Sequence, residues 1–243
     1  MTETYLLTNE SNQKFGPKDF STKIKLIKQQ LFSQGFVYVE NIFSDDDAIH
    51  VVNWLGVIVK SPDADATGIT DVSNMTTGQN TKNSAAFTNK ELFLHTDRAP
   101  VAVPPRYLMN WMVTKNCTGG ESLLVDGYEL FKNLSLNYSE IANILTCPDI
   151  ACFTDGIDTY TGPIFSKNEH GEIKIRFRYD QCAFFKIEAS YAIEILLSEI
   201  KKITRMIDFN VGGGYIIDNT RWLHGRRGFN GDRSVKRILI REI

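Results

Sequence analysis

Apolar side chains recur at helical spacing early in the chain, at Phe20, Ile24, Ile27 and Leu31. Gly35 stands where a left-handed C-cap would end such a helix. Residues 36–39 then read as a short strand of β-formers. Ser44 is placed to cap a second helix whose first turn carries Asp45, Asp46 and Asp47, negative charge at the positive end of the helix dipole. That helix runs through Val51 to Leu55 and ends near Gly56, ahead of an apolar strand at 57–59. Strand patterns return at 92–95, 107–113, 122–125, 150–153, 173–177, 215–217 and 235–240, with a hairpin turn at 168–171. Helical periodicity interrupts them at 128–134, 139–145 and 188–206. Many short strands with a few helices outside them predict a mainly β fold with flanking helices. A double-stranded β-helix, or jelly roll, is one closed solution.

The texture changes between residues 61 and 90. Asn, Thr, Ser, Asp and Gly dominate there, with short apolar islands at Ile69 and Val72. A stretch this long with so little pattern is expected to be either disordered or a lid over a functional site, and a substrate-covering lid is the expectation for 61–90. No repeat divides the 243 residues, so 1–243 is expected to form a single domain. A chain of this size buries roughly 70% of its unfolded surface and needs no disulfides to hold it. Cys117, Cys147, Cys152 and Cys182 show no C-x-x-C spacing and read as reduced thiols in a cytoplasmic protein. A net charge of −2 offers no field for nucleic acid or anionic lipid. No apolar run reaches the roughly 18 residues of a membrane span. The partner expected is therefore a small molecule. The sequence carries no signal for oligomeric state.

Chemistry concentrates in two segments. On a strand, His95 and Asp97 project from one face with Thr96 on the other, so two ligand-type side chains share a side. His224, in the segment Asp218-Asn219-Thr220-Arg221-Trp222-Leu223-His224-Gly225-Arg226, is the candidate third ligand. Two histidines and a carboxylate on one face of an octahedron leave three positions open, as non-haem Fe(II) oxygenases require. His50 and His170 fall on a helix face and in a turn, away from this set.

The order H-T-D, then G-G-E-S at 119–122, then D-N-x-R-x-x-H-G-R at 218–226 and a terminal R-x-x-x-R resembles the taurine dioxygenase and clavaminate synthase-like oxygenases. γ-Butyrobetaine hydroxylase and the carbapenem synthase-type enzymes of natural-product biosynthesis belong to that group. The resemblance runs from the strand after Gln34 to Ile243. It implies a jelly roll that uses Fe(II), 2-oxoglutarate and O2 to oxidise a substrate C–H bond, releasing succinate and CO2. It places iron on His95, Asp97 and His224. It assigns the distal carboxylate of 2-oxoglutarate to Arg237, with Arg233 as runner-up, and to the hydroxyl of Ser122. A guanidinium suits that task because its fork matches a carboxylate. The same resemblance puts Arg241 toward an anionic group of the substrate. Arg98, next to Asp97, and Asn83, in the lid with Asn80 and Ser84, are further candidate substrate contacts. Arg98 and Arg241 point to a small polar or zwitterionic, amino-acid-like substrate, with hydroxylation as the default outcome. Asp97 itself argues against halogenation, since halogenases of this fold give up the carboxylate for chloride.

Trp111, Trp222 and Tyr160 offer an alternative, a cage for a quaternary ammonium. Two other classes stay open at this point. The same triad serves a zinc-dependent hydrolase or isomerase, which would not need Arg237 and Ser122. A non-catalytic 2-oxoglutarate-binding sensor would bind the co-substrate without turning it over.

Overall fold

The computed structural model describes residues 13–73 and 85–242. The chain opens with β1 (Lys14–Phe15), α1 (Pro17–Thr22) and α2 (Ile24–Gln34). Gly35 ends α2 at φ 66°, where a Cβ would fall 2.8 Å from Arg221 Cδ and 2.9 Å from Trp222 Nε1. Glycine is required there by both the left-handed backbone and the close approach. After β2 (Phe36–Val39), Ser44 caps α3 (Asp45–Asn53) as its sequence predicts. Its hydroxyl accepts from Asp47 N at 3.1 Å while Asp47 Oδ2 accepts from Ser44 N at 3.0 Å, which completes a capping box.

Next come β3 (Gly56–Val59), β4 (Ile69–Ser73), β5 (Leu92–His95), β6 (Tyr107–Gly119) and β7 (Ser122–Asp126), then α4 (Gly127–Asn137) and α5 (Ser139–Leu145). Five short strands follow: β8 (Ala151–Thr154), β9 (Thr159–Gly162), β10 (Phe165–Lys167), β11 (Ile173–Ile175) and β12 (Ala183–Phe185). The chain closes with α6 (Ser190–Ile203), β13 (Arg205–Ile207), β14 (Gly214–Asp218), β15 (Trp222–Arg226) and β16 (Phe229–Glu242).

Two sheets face each other. The larger runs β1-β2-β14-β6-β16-β3, with β4 also on β16; the smaller runs β13-β7-β15-β5. Side-chain parity sorts the core. Leu108, Met112, Tyr215, Ile217, Val235 and Leu239 of the large sheet meet Leu124, Ile207 and Trp222 of the small one in the intersheet core. The opposite face of the large sheet, with Met109, Trp111, Ile216 and Ile238, buries residues of α1, α2 and α3. Val125 and Leu223, on the far side of the small sheet, pack with residues of α4, α5 and α6. His224, two residues after Trp222, therefore lies on the intersheet side, at one end of that core.

Three expectations shift. The helix expected at 188–206 ends at Ile203, because Thr204 turns extended (ψ 124°) and Arg205–Ile207 pairs with β7 instead. Part of the expected lid is sheet: Ile69–Ser73 pairs with residues 234–238 of β16, so its two apolar islands, Ile69 and Val72, are core residues. β6 and β16 run on as a polar ribbon beyond the apolar stretches that sequence marks, pairing Asn116 with Asp232 and Thr118 with Asn230. Exposed strands carry no hydrophobic alternation, so pattern alone misses them. Among the described residues no helix is long and apolar enough to cross a membrane. All four cysteines are free.

Candidate functional site

Antiparallel pairing of β15 with β5 sets His224 directly opposite His95, and their rings lie 4.4 Å apart between centroids. Asp97 follows just beyond β5, on a loop pinned from two sides. Thr96 N donates to Phe177 O at 2.7 Å, and Thr96 Oγ1 accepts from Phe177 N at 3.1 Å. Asn219, fully buried, accepts from Asp97 N at 2.8 Å through Oδ1 and donates from Nδ2 to Asp97 O at 3.1 Å and Pro105 O at 3.0 Å. Exchanging Asn219 for alanine leaves those three backbone groups buried and unpaired. Asn219→Ala is expected to cost about 3 kcal/mol of stability, measured by denaturant unfolding of the metal-free protein.

Burial pushes the pKa of His224 well below its usual value, and neighbouring His95 adds to the effect. Burial also lowers His95, against the pull of Asp97 and of the Phe93 carbonyl, which lies 2.8 Å from Nδ1. Both imidazoles are neutral near pH 7, as metal ligands must be. Burial opposes ionisation of Asp97, yet Arg237, His224 and His95 together hold its carboxyl below the usual range. His224 Nδ1 is buried without a hydrogen-bond partner. Two neutral imidazoles, a carboxylate and an unsatisfied ring nitrogen make a donor set suited to a divalent cation.

The set is not drawn tight as it stands. Among the described residues no three His, Cys, Asp or Glu side chains close on a cation site. Arg237 Nη1 donates to Asp97 Oδ2 at 2.6 Å, and the same oxygen is 4.0 Å from His224 Nε2. Neighbouring donors on a metal with bonds of ~2.1 Å lie about 3 Å apart. The donor types fit a divalent cation, and the Asp97 carboxylate is here held by Arg237 at a wider spacing than a bound cation would set.

The structure separates the two candidate co-substrate arginines. Arg237 reaches the Asp97 carboxylate. Arg233 is buried, only 4% exposed, and no carboxylate among the described residues pairs with it. Its Nε is buried without a partner, and burial lowers its pKa. Gly120 makes room for it: at φ 81°, a Cβ there would fall 2.8 Å from Arg233 Cδ. Tyr215, whose hydroxyl accepts from Asn110 Nδ2 at 2.8 Å and also meets the Ser122 side chain, is a close electrostatic neighbour of Arg233. Ser122 is itself buried on β7 with its side chain on the intersheet face. A buried guanidinium with an unsatisfied Nε next to a tyrosine hydroxyl is suited to an anion.

His95, Asp97 and Arg237 open on a cavity of about 710 Å3. Its wall carries both signs of charge. Arg98, held at φ 56°, donates to Asp155 Oδ2 at 3.2 Å and Asp158 Oδ2 at 2.8 Å. Arg178 forks onto Asp180, Nε to Oδ1 at 2.9 Å and Nη2 to Oδ2 at 2.6 Å. Sequence reasoning gave Arg178 and Asp180 no role, because nothing in the pattern of 173–185 places them across from His95.

Other candidates lie elsewhere. Arg241 is exposed near the end of β16, opposite Val57 of β3, and does not line the cavity. Asn83, with Asn80 and Ser84, lies outside the described residues. No aromatic cage forms. Trp111 is buried in the core beneath α1–α3, Trp222 packs between the sheets, and Tyr160 lies under the Arg176 guanidinium at 3.5 Å.

His95, Asp97 and His224 come together at one end of two packed antiparallel sheets, with Arg237 on Asp97 and Arg233 buried nearer the ribbon end of β16, a set of donor types suited to a metal and an anion. The model of the taurine catabolism dioxygenase TauD, TfdA family matches residues 9–241, and the chain belongs to that family. It is 26% identical to human gamma-butyrobetaine dioxygenase over 176 residues, covering 65% of this chain and 45% of that protein. The orangutan (Pongo abelii) enzyme gives the same figures, so the chain spans about half the length of these relatives. Among solved structures, asparagine oxygenase with Fe(II), hydroxyasparagine and succinate superposes at a TM-score of 0.74, 14% identity, 90% of this chain and 79% of that one. The non-heme iron oxygenase OrfP with Fe and alpha-ketoglutaric acid does so at 0.68 and 16%, covering 92% and 78%. At these identities the likeness is one of fold.

Proposed function

We propose that this protein is an Fe(II)- and 2-oxoglutarate-dependent oxygenase that hydroxylates a small zwitterionic, amino-acid-like molecule. The observation that carries this reading is Arg233, a buried cation that no carboxylate among the described residues meets in an ion pair, next to Tyr215, which in turn meets Ser122. A zinc hydrolase or isomerase has no use for such a site, whereas a dicarboxylate co-substrate needs one. The two sheets are, in this reading, the halves of a double-stranded β-helix, and the segment before β5 covers the substrate.

His95, Asp97 and His224 would hold the iron. Bound Fe(II) would supply O2 activation, coupling decarboxylation of 2-oxoglutarate to oxidation of a substrate C–H bond. The rest falls to this chain's side chains. Arg233 takes the distal carboxylate bidentately and Ser122 donates a further hydrogen bond to it. This fixes the co-substrate's reach toward His224. Arg237 orients the Asp97 carboxylate through Nη1 and has an unpartnered Nε that could meet an incoming carboxylate. Asn219 keeps the Asp97 backbone still meanwhile. The cavity walls supply opposite charges for a zwitterion: Arg98 and Arg178 on one hand, Asp155 and Asp180 on the other. OrfP has been solved with (3S)-hydroxy-L-Arg and asparagine oxygenase with 3-hydroxyasparagine, and both ligands carry the charge pattern this wall would accept.

The test is succinate formation from 2-oxoglutarate, screened against a panel of free amino acids with Fe(II), Zn(II) or no metal. The reading expects succinate only with Fe(II), and a rise of at least about tenfold with the right amino acid. Metal-dependent hydrolysis with Zn(II) and no succinate under any condition would overturn it.

A further inference from the structure

Arg226 is a second buried arginine, 4% exposed, two residues beyond His224 on β15. Its guanidinium is spent on backbone carbonyls. Nη1 donates to Ala86 O at 3.3 Å, and Nη2 donates to Ala85 O at 3.3 Å, Thr88 O at 2.7 Å and Lys90 O at 2.6 Å. Those four residues belong to the short turn that leads into β5, and all four line the substrate cavity. Arg226 thus holds the cavity wall from behind, starting from the strand that carries His224.

The same side chain touches the anion pocket. Arg226 is the cross-strand partner of Ser122. Its guanidinium lies 4.9 Å from the centroid of the Phe229 ring, and that of Arg233 lies 5.7 Å from the same centroid. No carboxylate among the described residues pairs with either arginine. Two like charges sharing one ring in a protein interior repel, and carbonyl dipoles compensate only one of them. A carboxylate arriving at Arg233 removes that repulsion and leaves Arg226 free to hold its four carbonyls more firmly.

We propose that Arg226 is a positioning residue that couples occupancy of the co-substrate pocket to the order of the 85–90 wall, so that 2-oxoglutarate prepares the cavity for substrate. This rests on the reading of Arg233 as the co-substrate anchor. Coupling of this kind is reciprocal: whatever tightens the wall through Arg226 also tightens 2-oxoglutarate binding, by the same factor.

The test follows amide hydrogen exchange across 85–90 in the anaerobic Fe(II) protein, with and without saturating 2-oxoglutarate, beside binding titrations. The wild type is expected to slow exchange in this segment by about tenfold on binding. In Arg226→Gln the segment should exchange fast in both states, and 2-oxoglutarate should bind about tenfold more weakly. Arg226→Lys, which keeps the charge, should recover part of both effects. Should the glutamine variant fail to fold, the wild-type comparison and the lysine variant carry the test. Binding to the wild type without added protection at 85–90 would overturn the coupling and leave the oxygenase reading intact. No binding to the wild type would overturn both.

Discussion

Arg233→Gln is expected to weaken 2-oxoglutarate binding by about 100-fold or more, measured by titration of the anaerobic Fe(II) protein. Removing one partner of a buried, hydrogen-bonded charge pair costs about 2–5 kcal/mol, and 1.4 kcal/mol is a factor of ten. The second half of the expectation separates this arginine from an ordinary structural one. Without co-substrate, buried Arg233 makes no ion pair among the described residues, so the glutamine variant should unfold at the same denaturant concentration as wild type or a higher one. Arg237→Gln should behave differently. It strips Asp97 of its 2.6 Å partner and leaves that carboxylate buried beside two neutral imidazoles, so the metal-free protein should lose stability. If Arg237→Gln abolishes co-substrate binding while Arg233→Gln leaves it unchanged, the distal carboxylate belongs on Arg237, as the family resemblance implies.

His224→Ala is expected to remove Fe(II) binding at micromolar concentration altogether. Losing a group that merely orients a ligand costs about 10–100-fold in metal affinity, and the loss of a ligand exceeds that. The effect should be selective. His50 lies on an exposed position of α3 and His170 in the 168–171 turn, so alanine at either should leave affinity within about twofold. Equilibrium dialysis against Fe(II), or Mn(II) in air, reads all three variants. Wild-type affinity in His224→Ala would remove the metal centre from this end of the sandwich.

That His95, Asp97 and His224 come together was legible in sequence because each sits in a short, dense motif and strand parity alone places His95 and Asp97 on one side. The same holds for helix α3, whose cap and first-turn aspartates announce it. Strand β4 was not legible, since two apolar residues in a polar stretch give too short a pattern to distinguish a strand from a loop. The choice between Arg233 and Arg237 was not legible for a different reason. Both lie on β16 at alternate positions with Val235 between them, so strand parity puts them on the same face and does not say which side chain lies nearer Ser122; the extra residue of the bulge, Val113, belongs to β6. Arg226 stands in a motif that sequence inspection does single out. Its role depends on four carbonyls more than 130 residues away in the chain, which no local pattern encodes. Arg178 and Asp180 reach the cavity through the same kind of tertiary placement.

The central claim is that one pocket holds Fe(II) and 2-oxoglutarate together, and anaerobic absorbance spectroscopy addresses it directly. Chelation of Fe(II) by a 2-oxo acid gives a weak visible charge-transfer band that neither component shows alone. This band is expected to form in wild type, to be lost in His224→Ala, and in Arg233→Gln to reappear only at roughly 100-fold higher 2-oxoglutarate. Absence of the band in wild type under saturating Fe(II) and 2-oxoglutarate would contradict the account.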